Sequence, residues 1–296
     1  MAKKDELLVV VDGNNLLIRA HGAFSRQGLT TSSGIPTGGL YGSILSHINL
    51  VKMLRPTKMV WFFDPIGGST MRKELLPSYK GNRTREKNDD LFKQFSAFEA
   101  FLSTMDVRYY SEQGVEADDL IAGAVKNWDS EIPKVIVSAD HDFHQLVSSE
   151  PRVSVLKLRQ GRNSPEVLYT PKTVEDKYGV PPEKLLTIWS LCGDPSDNIP
   201  GVKGVGFLTA KKILEKYDWD LDRAILEEPK LQGQRSVIED TKRLIELDGT
   251  EARLFVDINE CDLKTTDYDS ERALDFLTKW EMSSFVKKEK TGGVYR

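Results

Sequence analysis

The chain has 296 residues, of which 39% are hydrophobic and 29% are charged. This composition is typical of a soluble globular protein with enough apolar surface for a core, and the length predicts one large or two smaller domains. The 41 Lys and Arg against 45 Asp and Glu give a formal charge of −4. That balance argues weakly against a nucleic-acid-binding protein, unless carboxylates cluster on metal ions and basic residues cluster elsewhere.

The cysteines and the N-terminus indicate the cellular setting. Cys192 and Cys261 are far apart in sequence and have no metal-ligand spacing, so we expect reduced cysteines in a cytoplasmic protein and no zinc site. The apolar run Leu7–Val11 is too short for the core of a signal peptide or for a membrane span. We therefore expect no membrane association.

Three short apolar runs, Leu7–Val11, Lys58–Phe63 and Lys134–Val137, predict buried strands. Helical patterns accompany them over residues 41–54, 90–104 and 117–128. Strands that alternate with helices indicate an α/β fold with a parallel sheet. The functional crevice of such a sheet lies outside the carboxyl ends of its strands.

A change of pattern near residue 175 predicts a domain boundary. Residues 1–175 would form the α/β core, and residues 176–296 would form a helix-rich region in which strand signals are few. Segment 82–112 begins with polar and charged residues and continues into a helical pattern. We interpret this segment as a mobile loop or arch over the crevice.

Acidic residues follow each predicted strand and recur at a predicted helix start and in a later loop. The nine carboxylates are Asp12, Asp64, Glu116, Asp118, Asp119, Asp140, Asp142, Asp194 and Asp197. Clustered carboxylates repel one another unless cations neutralise them, and oxygen ligands suit Mg²⁺. Two such ions ~3.5–4 Å apart can activate a water and stabilise the leaving oxygen in phosphodiester hydrolysis. Taken singly, each acid could also be a helix cap, and only the joint pattern favours a metal site.

A basic segment, residues 72–87, lies between the second strand and the predicted helix over 90–104. Its six basic residues minus two acidic residues give a local charge of +4. Tyr79 beside Lys80 places a base-stacking ring next to a phosphate-binding cation, which suits a frayed nucleic-acid end. A lysine here could also stabilise charge on a scissile phosphate. The alternative interpretation is a solvated charged loop.

A glycine-rich stretch, residues 199–212, leads into a predicted helix. Glycines permit tight turns and close backbone approach, and amides at a helix start can bind a phosphate oxygen. The candidate DNA-binding residues of this stretch are Gly201, Lys203, Gly204, Gly206, Lys211 and Lys212. The pattern is typical of a helix-hairpin-helix element that holds the DNA backbone and reads no bases. A nucleotide loop is disfavoured because no Rossmann-type strand precedes the glycines and no Gly-Lys-Ser/Thr follows them.

Together these motifs resemble those of the 5′-3′ exonuclease and flap endonuclease family. That family includes the 5′ nuclease domain of bacterial DNA polymerase I and free-standing bacteriophage 5′ nucleases. The matching motifs are residues 10–15, 61–64, 79–83, 114–119, 138–146 and 193–206. The resemblance implies a parallel-sheet PIN-like core, a helical arch at 82–112 and a helix-three-turn-helix DNA-binding motif at about 185–220 in the helix-rich region. Since the chain has no room for proofreading or polymerase domains, we expect a free-standing enzyme, with a fragment of a larger protein as the alternative.

The resemblance also implies a role for each candidate residue. The first metal site would use Asp12, Asp64, Glu116, Asp118 and Asp119, and the second would use Asp140, Asp142, Asp194 and Asp197. Lys80 and Arg72 would contact the scissile phosphate as catalytic residues. Tyr79 would stack on the terminal base, and Arg83 and Arg85 would contact DNA from the arch.

The function implied is that of a structure-specific 5′ nuclease that removes RNA primers and flaps in DNA replication or repair. Its cofactors would be two or more Mg²⁺ ions, with Mn²⁺ as a substitute, and K⁺ at the helix-three-turn-helix. Its substrate would be branched or nicked double-stranded DNA with a 5′ flap, or an RNA–DNA hybrid, bound by a monomer. Two alternatives remain: a PIN-type ribonuclease, which needs fewer acids, and a structure-specific DNA-binding protein without turnover.

Overall fold

A computed structural model describes residues 6–24, 27–65, 67–82, 89–128, 131–159, 165–250 and 257–287. Its centre is a six-stranded sheet in the order β3-β2-β1-β4-β5-β6. The strands are β1 (Leu8–Asp12), β2 (Lys58–Phe62), β3 (Arg108–Tyr110), β4 (Lys134–Val137), β5 (Val153–Lys157) and β6 (Val167–Tyr169). All neighbouring pairs are parallel except β5 and β6. The predicted α/β fold with a parallel sheet is confirmed.

Twelve helices surround the sheet in the part of the chain that the structure describes. They are α1 (Gly13–Phe24), α2 (Gly38–Leu54), α3 (Thr70–Leu75), α4 (Asp89–Thr104), α5 (Ala117–Asn127), α6 (Pro171–Tyr178), α7 (Leu185–Cys192), α8 (Phe207–Lys216), α9 (Leu221–Glu227), α10 (Arg235–Ile245), α11 (Glu271–Lys279) and α12 (Ser283–Lys287). A short antiparallel pair, β7 (Gly193–Asp194) and β8 (Ile199–Pro200), lies between α7 and α8. None of the described helices has the length and apolar character needed to cross a membrane.

The central strand β1 is apolar because helices cover both faces of the sheet. All five of its residues are buried, and Val10 pairs in register with Val60 of β2 and Ile136 of β4. Strands buried on both faces read as continuous apolar runs, which is why β1, β2 and β4 were predictable. Strands β3 and β6 have three residues each and leave side chains partly exposed, so neither carries such a run.

Two hydrophobic cores lie on opposite faces of the sheet. One core contains residues of α1, α2, α4, α11 and α12, and the other contains residues of α5 through α10. Phe276 of α11 packs on Phe101 of α4 with ring centroids 5.6 Å apart. The last helices therefore return to the face that the first helices cover.

The strand order places a crevice at one edge of the sheet. The chain runs from β1 outward through β2 to β3, and then crosses to β4 on the other side of β1. Parallel sheets bind ligands where the strand order reverses in this way, outside the carboxyl ends of the two central strands. Here those strands are β1 and β4, which end at Asp12 and Val137.

Candidate active site

Asp12 and Asp140 lie at the reversal point of the sheet. The Asp12 side chain is buried, and its Oδ1 accepts a hydrogen bond from the Asn15 amide at 2.9 Å. Ser138 Oγ donates to Asp12 Oδ2 at 2.7 Å and accepts from the Asp140 amide at 3.0 Å. The Ser138 hydroxyl therefore ties together the two acids that follow β1 and β4.

Asp64 and Asp118 complete a first group of carboxylates. Asp64 Oδ1 accepts from the amide of Ala117, the first residue of α5, at 2.9 Å, so Asp64 caps the helix that carries Asp118. Burial raises the pKa of Asp12, the hydrogen bonds from Asn15 and Ser138 oppose it, and the charges of Asp64 and Asp140 raise it further. Burial, and then the charges of Asp12 and Asp140, raises the pKa of Asp118. We define these four residues as the first acidic group: Asp12, Asp64, Asp118 and Asp140.

A second acidic group shares Asp140 with the first. Ligand atoms of Asp140, His141 and Asp142 lie within 4.8 Å of one another. Burial, followed by the charges of Asp140, Asp194 and Asp197, raises the pKa of Asp142 well above its usual value. We define the second acidic group as Asp140, Asp142, Asp194 and Asp197. His141 lies 3.5 Å from Asp140 and 3.4 Å from Asp142.

These carboxylates fit hard divalent cations. Burial, opposed by the hydrogen bonds from Asn15 and Ser138, raises the pKa of Asp12 to about 7. Close buried carboxylates cannot all ionise without compensation, and a cation supplies that compensation. The donors are carboxylate oxygens, which suit Mg²⁺ or Mn²⁺ better than thiolate-preferring metals.

Glu116 differs from the other acids because it is bound to cationic and hydroxyl groups. Its Oε1 accepts from Lys80 Nζ at 2.8 Å, and its Oε2 accepts from the Tyr79 hydroxyl at 2.9 Å and lies 3.5 Å from Arg72 Nη1. Burial alone would raise the pKa of Glu116, but the charges of Lys80 and Arg72 lower it overall. The predicted metal role of Glu116 stays a prediction.

Lys80 lies between Glu116 and the second acidic group. Its Nζ is 3.7 Å from Asp197 Oδ2, and its side chain is 14% exposed. Burial would lower the pKa of Lys80, whereas Glu116, Asp118 and Asp197 raise it, so the ammonium form is stabilised. The Lys80 backbone is left-handed, with φ of 53°, and its amide donates to the Asp197 carbonyl at 2.9 Å. This turn holds the ammonium group beside Glu116 and beside Asp197 of the second acidic group.

Arg72 and Asp119 form a buried ion pair. Arg72 is 2% exposed, both of its terminal nitrogens bind the Asp119 carboxylate, and its Nε donates to the Leu244 carbonyl of α10 at 2.8 Å. The pair therefore joins α3, α5 and the end of α10. A contact of Arg72 with a phosphate and a contact of Asp119 with a metal stay predictions, and the observed pairing favours a structural role for both residues.

Tyr79 is buried rather than presented to solvent. Its side chain is 6% exposed, and its hydroxyl lies 3.4 Å from Asp197 Oδ2 in addition to the bond with Glu116. Burial and the Glu116 charge raise its pKa. The predicted stacking of Tyr79 on a terminal base stays untested, while the structure shows it supporting Glu116. Arg83 and Arg85 lie outside the described residues.

The glycine-rich element before α8 uses its glycines in different ways. A Cβ on Gly201 would lie 2.1 Å from the carbonyl carbon of Cys192, so packing against β7 requires glycine there. Gly204 has φ of +75°, and a Cβ there or on Gly206 would meet open space. Gly204 and Gly206 are exposed, which leaves the backbone at the start of α8 accessible.

The lysines of this element are also placed differently from one another. Lys203 and Lys212 are exposed, as the predicted DNA contact needs. Lys211 Nζ donates to the Gly179 carbonyl at the end of α6 at 2.8 Å. This bond joins α8 to α6, and the predicted DNA contact of Lys211 would have to be made in addition to it.

Several residues that organise the site were missed as functional residues in the sequence. Ser138 was one, and Asn14 and Asn15 were others: Asn14 Oδ1 accepts from the Asp64 amide at 2.9 Å, and Asn15 Oδ1 accepts from the Ala139 amide at 3.1 Å. Arg19 donates through Nη2 to the Leu158 carbonyl at 3.0 Å. Burial lowers the pKa of Arg19, and the charge of Asp12 acts in the opposite direction. The available signal was position, since Asn14, Asn15 and Ser138 are within three residues of Asp12 or Asp140, whereas Arg19 carried no such signal.

We expect Arg72→Ala to lower the free energy of unfolding by about 3–5 kcal/mol, because it leaves Asp119 and Glu116 as buried charges without this partner. The double variant Arg72→Met, Asp119→Leu should recover part of that loss, since both charges of the pair are then removed. Urea unfolding of the metal-free protein measures both values. An Arg72→Ala protein as stable as the wild type would contradict the structural role.

We expect Asp12 to make the metal-free protein more stable as pH falls from about 7.5 to about 5, by up to roughly 1.4 kcal/mol per pH unit. The folded-state pKa of Asp12, about 7, lies above its ordinary value of 3.8, so the folded protein binds more protons in this range. The penalty for ionising Asp12 is complete above the folded pKa and declines as pH falls from about 7 toward 3.8. Stabilisation by Mg²⁺ should instead grow with pH.

Thermal unfolding in EDTA and in Mg²⁺ across this range measures the effect. Asp12→Asn should flatten both trends, because Asn can keep a hydrogen bond to Asn15 and Ser138 without the charge. Asp240→Asn, at an exposed position of α10, is the matched control and should keep both trends. Equal pH slopes for the wild type and Asp12→Asn would show that Asp12 is not the titrating group.

Comparisons with known proteins agree with this architecture. The family "5′-3′ exonuclease, N-terminal resolvase-like domain" matches residues 7–179, and "5′-3′ exonuclease, C-terminal SAM fold" matches residues 180–271. A 5′-3′ exonuclease of Bacillus subtilis is 33% identical over 81% of this chain and 82% of its own length. DNA polymerase I of Synechocystis sp. is 32% identical over 97% of this chain, which spans 30% of that relative.

Solved structures share the fold. The bacteriophage T5 5′-exonuclease with bound zinc has a TM-score of 0.64 at 24% identity, covering 92% of this chain and 99% of its own. The bacteriophage T5 flap endonuclease, in a pseudo-enzyme-product complex with DNA and metal ions, has a TM-score of 0.67 at 21% identity, covering 93% and 100%. These likenesses support the fold of both parts of the chain.

Proposed function

The chain belongs to the 5′-3′ exonuclease family, and from this premise we propose that it is a metal-dependent 5′ nuclease that cuts near 5′ ends and flap junctions. One observation carries the proposal: two groups of carboxylates share Asp140 at the reversal point of the sheet, and Lys80 lies beside Asp197 of the second group. The chain spans about a third or less of the DNA polymerase I relatives that it matches, so the roles of those longer proteins in replication and repair are also part of the proposal.

We propose two Mg²⁺ ions as cofactors, with Mn²⁺ as a substitute. The first acidic group would hold one ion and the second acidic group the other, with Asp140 available to both. When bound, such a pair activates a water and stabilises the leaving oxygen of a phosphodiester. The oxygen donors and the raised pKa values of Asp12, Asp118 and Asp142 support this assignment. A potassium ion at the turn before α8 is proposed from the family resemblance.

The catalytic cation in this proposal is Lys80. Its ammonium group is held charged by Glu116, Asp118 and Asp197, and it lies 3.7 Å from Asp197 of the second acidic group. There it would neutralise charge that develops on a bound phosphate. Tyr79 and Arg72 would act through Glu116, which each of them contacts. We therefore propose that Arg72 positions Glu116 and that Lys80 contacts the substrate.

The proposed substrate is double-stranded DNA that is nicked or branched with a 5′ flap, or an RNA–DNA hybrid, bound by a monomer. The exposed amides and lysines at the start of α8 suit a phosphate backbone, and the T5 flap endonuclease relative was solved with DNA. Residues 1–175 would supply the catalytic core and residues 176–296 the duplex grip. Most of the segment proposed as an arch, 82–112, is part of the core: α4 packs there through the buried Phe98 and Phe101, and β3 is an edge strand of the central sheet. Its residues 83–88 lie outside the described residues.

Cleavage of a 5′-labelled double-flap DNA tests the proposal. We expect cuts within about one nucleotide of the junction in Mg²⁺ and none in EDTA. Lys80→Ala should reduce the single-turnover rate by roughly 100-fold or more, the usual loss when one charge-stabilising group is removed. Lys279→Ala, at an exposed position of α11 on the far core, should cut like the wild type.

Two results would contradict the proposal. Binding of the flap without cutting, in Mg²⁺ and in Mn²⁺, would favour a DNA-binding protein without turnover. Cleavage of single-stranded RNA in preference to flap DNA would favour a PIN-type ribonuclease.

A further inference from the structure

One side of the crevice is basic. Lys157 is the last residue of β5, the strand next to β4, and the Ser138 amide donates to the carbonyl of the preceding Leu156 at 3.2 Å. Strands β4 and β5 are parallel neighbours, about 4.8 Å apart, and Lys157 and Asp140 are both at their carboxyl ends. Lys157 therefore lies at the same edge of the sheet as Asp140, one strand away. The two acidic groups do not account for a lysine at this position.

Lys177 of α6 is held on the same side by two aromatic rings. Its Nζ lies 4.9 Å from the ring centroid of Tyr169 and 4.7 Å from that of Tyr178. In the β5–β6 pairing, Tyr169 is opposite Val155 and Lys157 is opposite Val167. Since residues two apart in a strand share a face, Lys157 and Tyr169 lie on one face of the sheet. The Lys177 ammonium group is therefore fixed above the face that carries Lys157.

Within the part of the chain that the structure describes, Lys157 and Lys177 differ from their neighbour Lys172 in having no carboxylate partner. On the same helix, Lys172 pairs with Asp176. Neither Lys157 nor Lys177 forms an ion pair with a carboxylate of the described residues. Burial, and then the positive charge of Lys157, lowers the pKa of Lys177. Two like charges held on one face repel each other, and an anion placed between them would relieve the repulsion.

The surroundings of Lys177 connect the metal site with the start of α8. The His141 ring contacts Trp189 with centroids 5.6 Å apart, Trp189 contacts Tyr178 at 6.2 Å, and Tyr178 contacts Phe207 at 5.7 Å. Phe207 is the first residue of α8. Because Lys177 lies on Tyr178, in the middle of this row of rings, it is between the second acidic group and the proposed duplex grip.

We propose that Lys157 and Lys177 form a phosphate-binding site for the DNA backbone, which takes a phosphate of the duplex between the scissile phosphate and those held at α8. The inference rests on the proposed function, and it gives the protein a second contact with the duplex in addition to the one at the start of α8. Two aromatic rings limit the motion of the Lys177 ammonium group, and Lys177 is an exposed residue, which suits a contact with a fixed point on a duplex. The site reads charge and spacing, and no bases.

The salt dependence of DNA binding tests the site. A nicked flap duplex is titrated with each protein between about 50 and about 200 mM KCl, with Ca²⁺ in place of Mg²⁺ and absence of cleavage checked on a gel. Each phosphate contact contributes about 0.9 to the steepness of the plot of log K against log salt concentration. The slope for Lys177→Gln should therefore be shallower than that of the wild type by about 0.9. The affinity loss of this variant across this salt range should then be roughly 3-fold smaller than that of the wild type.

Three further variants make the result specific. Lys157→Gln should behave like Lys177→Gln, and Lys177→Arg should keep the wild-type slope because the charge remains. Lys172→Gln removes the same charge from an exposed position of the same helix and should leave the slope unchanged. Thermal unfolding of each variant confirms that the fold is intact.

The possible outcomes separate this inference from the proposed function. Equal slopes for Lys177→Gln and Lys172→Gln, with wild-type cleavage of the flap intact, would overturn the phosphate site alone. If the wild type neither binds nor cuts the flap, the proposed function fails and the site fails with it. Loss of slope for Lys177→Gln and Lys157→Gln on two unrelated DNA sequences, with retention in Lys177→Arg, supports the site.

Discussion

Repulsion among carboxylates at the edge of the central sheet is the constraint on which the rest of the structure depends. Strands β1 and β4, a loop after β2 and the first turn of α5 bring Asp12, Asp140, Asp64 and Asp118 together in a partly desolvated place. Such a cluster opposes folding in the absence of cations. The apolar cores on both faces of the sheet hold the cluster in place, because Asp12 lies on the buried strand β1 and Asp118 lies on the packed helix α5.

Two basic side chains, Lys80 and Arg72, limit the repulsion among the carboxylates because Glu116 and Asp119 hold them beside the cluster. Glu116 binds Lys80, Tyr79 and Arg72, and Arg72 binds Asp119. Nine acids that look equivalent in sequence therefore divide into two kinds. Seven of them lie in the two acidic groups that fit exchangeable metal ions, while Glu116 and Asp119 are paired with basic side chains of the protein itself. Since Arg72 also binds the Leu244 carbonyl, the same pairing fixes α10 against the catalytic sheet.

Much of this arrangement was predictable, for identifiable reasons. Strands β1, β2 and β4 and helices α2, α4 and α5 carry clear apolar patterns, and an acid directly after a parallel strand must lie at the crevice edge. The pairing of Arg72 with Asp119 was not predictable, because both residue types also suit phosphate or metal contacts. The burial of Tyr79 and the row of rings that supports Lys177 depend on packing between segments distant in sequence, which no local pattern records.

The location of bound metal ions tests the central claim most directly. A crystal grown with Mn²⁺, with anomalous diffraction measured at the manganese absorption edge, would show each ion without assumptions about activity. We expect two peaks about 3.5–4 Å apart, one among Asp12, Asp64 and Asp118 and one beside Asp142, Asp194 and Asp197. Asp119 should remain on Arg72. A single ion on the Asp140–Asp142 turn, with Asp12 and Asp118 free of metal, would contradict it.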